Sequence, residues 1–312
     1  MNKVQYLIIS SSIDFSSDYI CLELEKRKQS YLRINRDFFN DYQIIYNLTR
    51  EEMIIKIKDE WYSLENETLK AIYFRAPVFI RAYGKHYSLE EQVSKSQWNA
   101  FIRNMVVFSN AKWVNNPVAT YKAENKLLQL KYAKGEDLAI PETYVANTFP
   151  MKFEKNTYVV KALDTPLFYD EGDELFTYTA VLSRQEMEEA NLSIAPVFIQ
   201  EYISPKIDLR VTVVGNKIFP VKIMCDGQGI DGDWRKTKKE ELQYIPCKLP
   251  NSLEKKLLNL MGKLKLQFGG IDLIYMKDTY YFIEVNPTGE WGWLLNSAGM
   301  RIDIAIVDCM ED

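Results

Sequence analysis

Two carboxylates and a carboxamide interrupt an apolar stretch near the C-terminus. In "GGIDLIYMKDTYYFIEVNPTGEWGWL", Gly269 to Leu294, Asp272 falls in one strand-like run and Glu284 and Asn286 in the next. Side chains alternate faces along a strand, which predicts Phe282, Glu284 and Asn286 on one face. A three-residue loop of Lys277, Asp278 and Thr279 sets Asp272 opposite Glu284 on that face. A two-residue turn shifts the register by one and separates the acids. Opposed like charges ~4 Å apart repel by roughly 4 kcal/mol at an effective dielectric near 20. A shared proton, a basic neighbour or a metal ion relieves that repulsion. Mg²⁺ takes oxygen ligands, one or two carboxylates together with substrate phosphates, and each of these side chains offers an oxygen. The alternative is an exposed acidic face. The flanking Ile271, Leu273, Ile274, Phe282, Ile283 and Val285 argue instead for burial.

Cations accompany the acids. Lys161 is the sole charge in the apolar run "TYVVKAL", where it needs an anionic partner, such as phosphate, or must lose its proton. Lys126 lies in the helical "ENKLLQL" and is unremarkable alone. "FIQEYI" places Gln200 and Glu201 at the end of a strand, a hinge able to read an adenine edge. Asp208 and Arg210 share a strand face in "KIDLRV", and Lys222 and Arg235 add two more cations. Together these supply what a site for ATP and phosphoryl transfer requires.

The elements that must hold these residues alternate along the chain. "VQYLIISSS", "SYLRINRDF", "LKAIYFRAPVF" (ending at Pro77) and "AKWVNNP" (ending at Pro117) read as strands. "SSDYICLELEKRKQ" reads as a helix capped by Ser16, Ser17 or Asp18, and the run from Ser88 to Asn110 as one carrying Trp98, Phe101, Ile102, Met105 and Val106 on one side. This predicts a small α/β domain over residues 1–118. "TYKAENKLLQLKYAKGED" is expected to be one helix ending near Gly135. Strands "IPETYVAN" and "TYVVKALD" follow, then a polar loop containing Gly172 and a helix capped by Ser183. "PVFIQEYI", "IDLRVTVVG" and "KIFPVKIMC" suggest a three-strand meander. "NSLEKKLLNLMGKLKL" is an amphipathic helix, and "RIDIAIVDCM" a last one.

Composition narrows the field. The 312 residues are 47% hydrophobic, enough for a sizeable core, and the net charge of −4 gives no footprint for nucleic acid or an anionic membrane. No apolar run approaches the ~20 residues of a membrane span. Cys21, Cys225, Cys247 and Cys309 form no CxxC pair, consistent with reduced thiols in a cytoplasmic protein. His86 is the only histidine and reads as a solvated loop residue, so a His-based triad or multi-His metal centre is excluded. The chain contains neither GxxxxGK[ST] nor GxGxxG.

The order of strand lysine, "QEYI" hinge, "DLRV" strand and "GGIDLI…FIEVNPTG" resembles the ATP-grasp superfamily. "IYFRAP", "DWRKT", "LQFGGIDLI" and "EVNPTGEWGWL" are similar more closely to the peptide macrocyclases that make graspetides, of the microviridin and plesiocin type. The resemblance is strong from Gln200 to Leu294 and diffuse before Lys126. It implies an α/β (α+β) ATP-grasp fold, with a pre-ATP-grasp domain at 1–118, a central lid subdomain at 119–198 and a C-terminal antiparallel catalytic domain at 199–312. Asp272, Glu284 and Asn286 match the family's Mg²⁺ ligands, and Lys126 and Lys161 its nucleotide-phosphate lysines. Gln200, Glu201, Tyr202 and Ile203 match its adenine hinge, and Asp208 falls on the nucleotide side. Arg210 would stabilise an acyl phosphate, with Arg235 and Lys222 in the same pocket or on the peptide. Two positions depart from the pattern. Ala76 stands where the family commonly has a second arginine, and Glu290, before Trp291, where it often has Gln.

The expected activity is ATP-dependent ligation. Asp or Glu side chains of a ribosomal precursor peptide, with its leader and a Thr/Glu/Asp-rich core, are phosphorylated to acyl phosphates. Thr or Ser hydroxyls, or Lys amines, then attack them; ester is favoured over amide. ATP and Mg²⁺ are the expected cofactors, a homodimer the expected assembly. A ligase adding a free amino acid to a carboxyl terminus is the runner-up, and a binder of nucleotide and peptide without chemistry a third reading.

Overall fold

The computed structural model describes residues 1–75, 87–150, 152–163, 167–170, 173–176 and 179–312. The expectations for Ala76, Pro77, His86 and Gly172 lie outside the described residues. Tyr6–Ser10, Tyr31–Asn35, Ala71–Phe74 and Lys112–Val114 pair in parallel, with Tyr6–Ser10 between Tyr31–Asn35 and Ala71–Phe74. Parallel strands are covered on both faces, and Leu7, Ile8, Ile9, Ile72 and Tyr73 are all fully buried. Phe15–Lys26 and Ile302–Glu311 pack on one face, and Leu89–Asn104 contributes Ile102 to the core on the other. A capping box joining Ser88 and Glu91 starts Leu89–Asn104. Phe15–Lys26 starts one turn earlier than expected, with Asp14 at its N-cap. Ser16 and Ser17 are buried within its first turn and bond to tertiary partners instead.

A further sheet was not anticipated. Tyr42–Asn47, Glu52–Ile57 and Glu60–Glu65 run antiparallel, with Asn2–Lys3 on the outer edge. The expected single helix before Gly135 is two, Pro117–Ala123 and Lys126–Gly135. Asn116 caps the first, with Pro117 at its first position, and Asn125 caps the second by accepting from the Leu128 N–H at 3.0 Å. A cap restarts the helix, so the break places Lys126 at a helix N-terminus.

The expected meander is divided between two sheets. Val197–Glu201 pairs with Thr143–Ala146 and Thr157–Lys161, and Ala180–Ser183 completes that sheet. Ile207–Val214 and Lys217–Cys225 belong to a five-stranded antiparallel sheet with Leu242–Pro246, Phe268–Met276 and Thr279–Asn286. The polar stretch expected as a loop contains a hairpin, Leu167–Asp170 against Asp173–Phe176. One face of the five-stranded sheet is apolar. Leu209, Val211, Ile271, Leu273 and Val285 meet Leu253, Leu257, Leu260, Met261 and Leu264 of helix Asn251–Leu264. The opposite face is left for chemistry.

Candidate active site

The opening hairpin turns on two residues. Lys277 and Asp278 both have positive φ, 44° and 62°, and Met276 pairs with Thr279. Carried regularly along the strands, that register would leave Asp272 opposite Ile283. A bulge intervenes: Leu273 pairs with Phe282, and Asp272 with Glu284, so Ile283 is the extra residue. The opposed acids are therefore present, but a bulge and not a three-residue loop creates them. Phe282 does not share their face; it is fully buried in the helix-side core.

Asp272, Glu284 and Asn286 converge. Asn286 Nδ2 donates to Asp272 Oδ2 and to Glu284 Oε1 at 3.3 Å each. The two acids are held differently. Burial raises both, but Lys126 and Lys161 outweigh it at Glu284, which is held below the usual carboxylate range. Lys126 Nζ lies 2.5 Å from Glu284 Oε2. Burial, with the Glu284 charge, pushes Asp272 up to about 6 despite Arg210. Burial also lowers Lys161, against the pull of Glu284. The repulsion anticipated from sequence is thus shared among cations, and Asp272 is the acid left under-compensated.

Arg210 reaches Asp272 rather than Asp208. Its Nε is 3.3 Å from Asp272 Oδ1, yet among the described residues Nε makes no hydrogen bond. The side chain lies across Gly270, where an added Cβ would come within 2.6 Å of Nη1. That close approach accounts for glycine in "GGIDLI". Asp208 pairs with Lys206, and burial raises its carboxyl. Arg235 is tied to Asp233, with Nη2 at 2.6 Å from Oδ2 and Nε at 2.9 Å from Oδ1.

A cavity of about 430 Å³ collects these groups: Lys126, Lys161, the hinge Gln200, Glu201, Tyr202 and Ile203, Asp208, Arg210, Arg235, Asp272, Glu284 and Asn286. At the hinge, Gln200 donates to Thr143, Lys155 holds Glu201 at 2.9 Å, and Tyr202 donates to Asp231. These side chains already have partners, which leaves backbone groups to meet a base edge. Lys222 does not join the site. It pairs with Leu209, which faces the helix side of the sheet, and is absent from the cavity lining.

Lys206 escaped the sequence reading, and Trp234 and Arg75 entered it only within "DWRKT" and "IYFRAP", without a role. Lys206 and Trp234 line the cavity, and Lys206 precedes Asp208 and Arg210 in the period-two series that flagged those two. Arg75 is buried and uses its whole guanidinium. It donates to Asp14 at 3.1 and 3.3 Å, to the Thr288 and Gly289 carbonyls at 2.8 Å, and to Glu290 Oε2 at 2.8 Å. It thereby fastens the loop after Asn286 to the N-terminal sheet. No local pattern signals such a contact.

The donor set suits Mg²⁺. Two carboxylates and an amide that can turn its oxygen inward meet at one point, and excess negative charge is focused on Asp272. Among the described residues, no cluster of three or more His, Cys, Asp or Glu side chains could hold a metal. This hairpin is therefore an open oxygen site, suited to an ion that also takes phosphate ligands.

The sequence pattern of the RimK-like ATP-grasp domain matches residues 135–310, more than half of the chain. The chain belongs to the RimK-like ATP-grasp family. No curated protein matches it in sequence. Several solved structures share its fold along the whole length. Macrocyclase MdnC from Microcystis aeruginosa MRC, solved bound with precursor peptide MdnA, is 26% identical, with 98% of this chain and 99% of that one covered and a TM-score of 0.83. Macrocyclase MdnB from the same organism is 25% identical, with 99% of each chain covered and a TM-score of 0.75. A RiPP-associated ATP-grasp ligase from Chryseobacterium gregarium, in complex with ADP and a leader and core peptide, is 24% identical, with coverage of 100% and 97% and a TM-score of 0.80. This RimK-like ATP-grasp chain is accordingly a ligase by family. Its described residues form no disulfide, and none of its described helices is long and apolar enough to cross a membrane.

Proposed function

We propose that this ligase closes rings in a ribosomal precursor peptide. The observation that carries the reading is the convergence of Asp272, Glu284 and Asn286 with Lys126, Lys161, Arg210 and Arg235 in one cavity. Full-length similarity to MdnC, which was solved with its precursor peptide, supports a peptide as the substrate. Lys126 and Lys161 would bind the nucleotide phosphates, and the Gln200–Ile203 hinge the adenine. Asp272, Glu284 and Asn286 would hold Mg²⁺, which when bound supplies neutralising charge at the β- and γ-phosphates. Arg210, whose Nε lacks a hydrogen bond, would meet the acyl phosphate made from an Asp or Glu side chain. A Thr or Ser hydroxyl, or a Lys amine, attacks its carbonyl carbon. The carbon–oxygen bond to phosphorus breaks, and its electron pair leaves with phosphate, which takes up the nucleophile's proton. Ester is the favoured linkage, and a cytoplasmic homodimer belongs to the same reading; the free thiols support the compartment.

The test is mass spectrometry after incubation with ATP, Mg²⁺ and a candidate precursor, a short peptide with a leader and a Thr- and Asp/Glu-rich core sought among the reading frames beside the gene. Loss of one water per bond is expected. With ¹⁸O in the Asp and Glu side chains, one label per bond should enter the released phosphate. Gain of a residue's mass would favour chain extension, and phosphate free of label would overturn the acyl-phosphate route.

A further inference from the structure

Glu290 lines the cavity, and the ring-closing reading leaves it without a part. Its side chain is 41% exposed, yet its two oxygens stand in different surroundings. Oε1 accepts from the Ser16 hydroxyl and from the N–H groups of Trp291 and Gly292, the latter two at 3.2 Å. Among the described residues, Oε2 takes one donor, Arg75 Nη2. A carboxylate oxygen has two lone pairs, so Oε2 keeps one for a ligand while Oε1 is saturated.

The cradle around Oε1 is built closely. A Cβ at Gly292 would come within 2.6 Å of Ser16 Oγ and of the Phe15 ring, so only glycine lets this backbone approach the helix start. The cradle also adjoins the reaction centre. A Cβ at Gly289, the preceding residue, would lie 3.6 Å from Arg210 Nη1.

We propose that Glu290 Oε2 receives the attacking hydroxyl or amine of the peptide, and that Arg75 is the positioning residue that aims it. The inference rests on the ring-closing reading and assigns the nucleophile's place within it. A hydroxyl that donates to Oε2 turns its lone pair towards a carbonyl held at Arg210. Oε2 holds the nucleophile's proton in a hydrogen bond while the new bond to the carbonyl carbon forms, and the proton then passes to the departing phosphate, so Glu290 ends as it began. Arg75 acts through Glu290. Its guanidinium reaches Asp14 and the Thr288 and Gly289 carbonyls as well, and a lysine cannot reproduce that fork.

The family often has Gln at this position, so the inference concerns this chain's own cradle, and Glu290→Gln tests whether ring closure here depends on the second carboxylate oxygen while keeping the shape. With the amide oxygen in the place of Oε1 the two N–H groups keep their acceptor, and an NH₂ donor faces both Arg75 Nη2 and the cavity where an acceptor stood. Two steps are read separately with the same candidate precursor peptide: acyl phosphate, trapped by hydroxylamine as a hydroxamate, and ring closure by mass. Ring closure should fall by about 10²-fold, the cost of a misplaced reactant, while hydroxamate falls much less. Glu290→Ala and Arg75→Lys should show the same split, and combining Arg75→Lys with Glu290→Gln should add little. Ring closure within about twofold of wild type in Glu290→Gln, or parallel loss of both steps, would overturn the assignment. Wild-type protein that forms neither ring nor hydroxamate would bring down the ring-closing reading and this inference with it. Hydroxamate without rings in wild type would refute ring closure, and the nucleophile's place with it, while acyl phosphate formation would stand.

Discussion

Two arginines, Arg75 buried and Arg210 half-buried, one in each half of the chain, divide the labour of the molecule. Arg75, at the end of a parallel strand, directs every part of its guanidinium to protein acceptors. Arg210, in the antiparallel sheet, keeps Nε without a hydrogen bond beside a carboxylate that burial pushes up. A buried donor left unpaired costs about 1–3 kcal/mol, so a folded chain tolerates one where a ligand will supply the missing partner. On the proposed reading, the saturated arginine is a brace and the unsaturated one a receptor. The same contrast separates Glu284, enclosed by lysines, from Asp272, which lacks enough of them.

The hairpin acids break this contrast most severely. Asp272→Asn and Glu284→Gln should each reduce ligation by about 10³-fold, the several kcal/mol that a bound metal contributes. Their stabilities should move in opposite directions. Folding raises Asp272 to about 6, so its ionised form costs stability at neutral pH, and that cost fades as pH falls through 6 towards the ordinary 3.8. Asp272→Asn should therefore melt at or above wild type at pH 7 and lose the advantage near pH 4. Folding lowers Glu284, so it contributes stability that is fully present above about 4.5 and lost at lower pH. Glu284→Gln should melt below wild type at neutral pH, because two lysines lose their anion. Calorimetry of both variants without nucleotide decides the point, and equal shifts of one sign would erase the distinction.

Arg210→Ala should slow ring closure by about 10²–10³-fold, as expected for a donor that acts on developing charge, with much less change in ATP affinity. An equal loss in both would make Arg210 a plain binding residue. Lys161→Ala and Lys126→Ala should each weaken ATP binding by about 1–3 kcal/mol, measured by titration calorimetry. On the brace, burial raises the Asp14 carboxyl, but the charge and hydrogen bonds of Arg75, with Ser10 and Ser17, hold it below its ordinary range. Asp14 thus contributes stability present above about 3.8 and lost as pH falls through its lowered folded value. Asp14→Asn should be less stable at pH 7 and converge with wild type in acid. Lys222→Ala, on the helix side of the sheet, should leave turnover within about twofold, since no change at the cavity accompanies it.

Sequence carried the site further than it carried the fold. Asp272, Glu284, Asn286, Lys161 and Arg210 stood out because charge within apolar strands is expensive, and period-two spacing assigned them a face. Lys222 satisfied the same composition rule, but it lies one position off that face, which pairing across three strands settles and local pattern does not. In the sheet of Tyr42–Asn47, Glu52–Ile57 and Glu60–Glu65 the adjacent apolar pairs Ile44–Ile45 and Ile54–Ile55 break the alternation, and Ile45 and Trp61 are exposed, which masked the signal. Arg75 stood only inside "IYFRAP", without a role, because its partners lie in distant parts of the chain, at Asp14 and at Thr288–Glu290. Its meaning depends on tertiary contact alone.

The bulge at Ile283 has a consequence for how such sites are found. Removing that one residue would leave Leu273 against Phe282 and Asp272 against Glu284, now as consecutive rungs of an ordinary ladder. The acids would still confront each other with fewer residues between them. Distance along the chain is therefore a poor ruler for this chemistry. A search template that fixes the interval between the two acids would discard homologous hairpins whose only difference is a deleted rung, whereas one that asks which residues oppose each other would retain them.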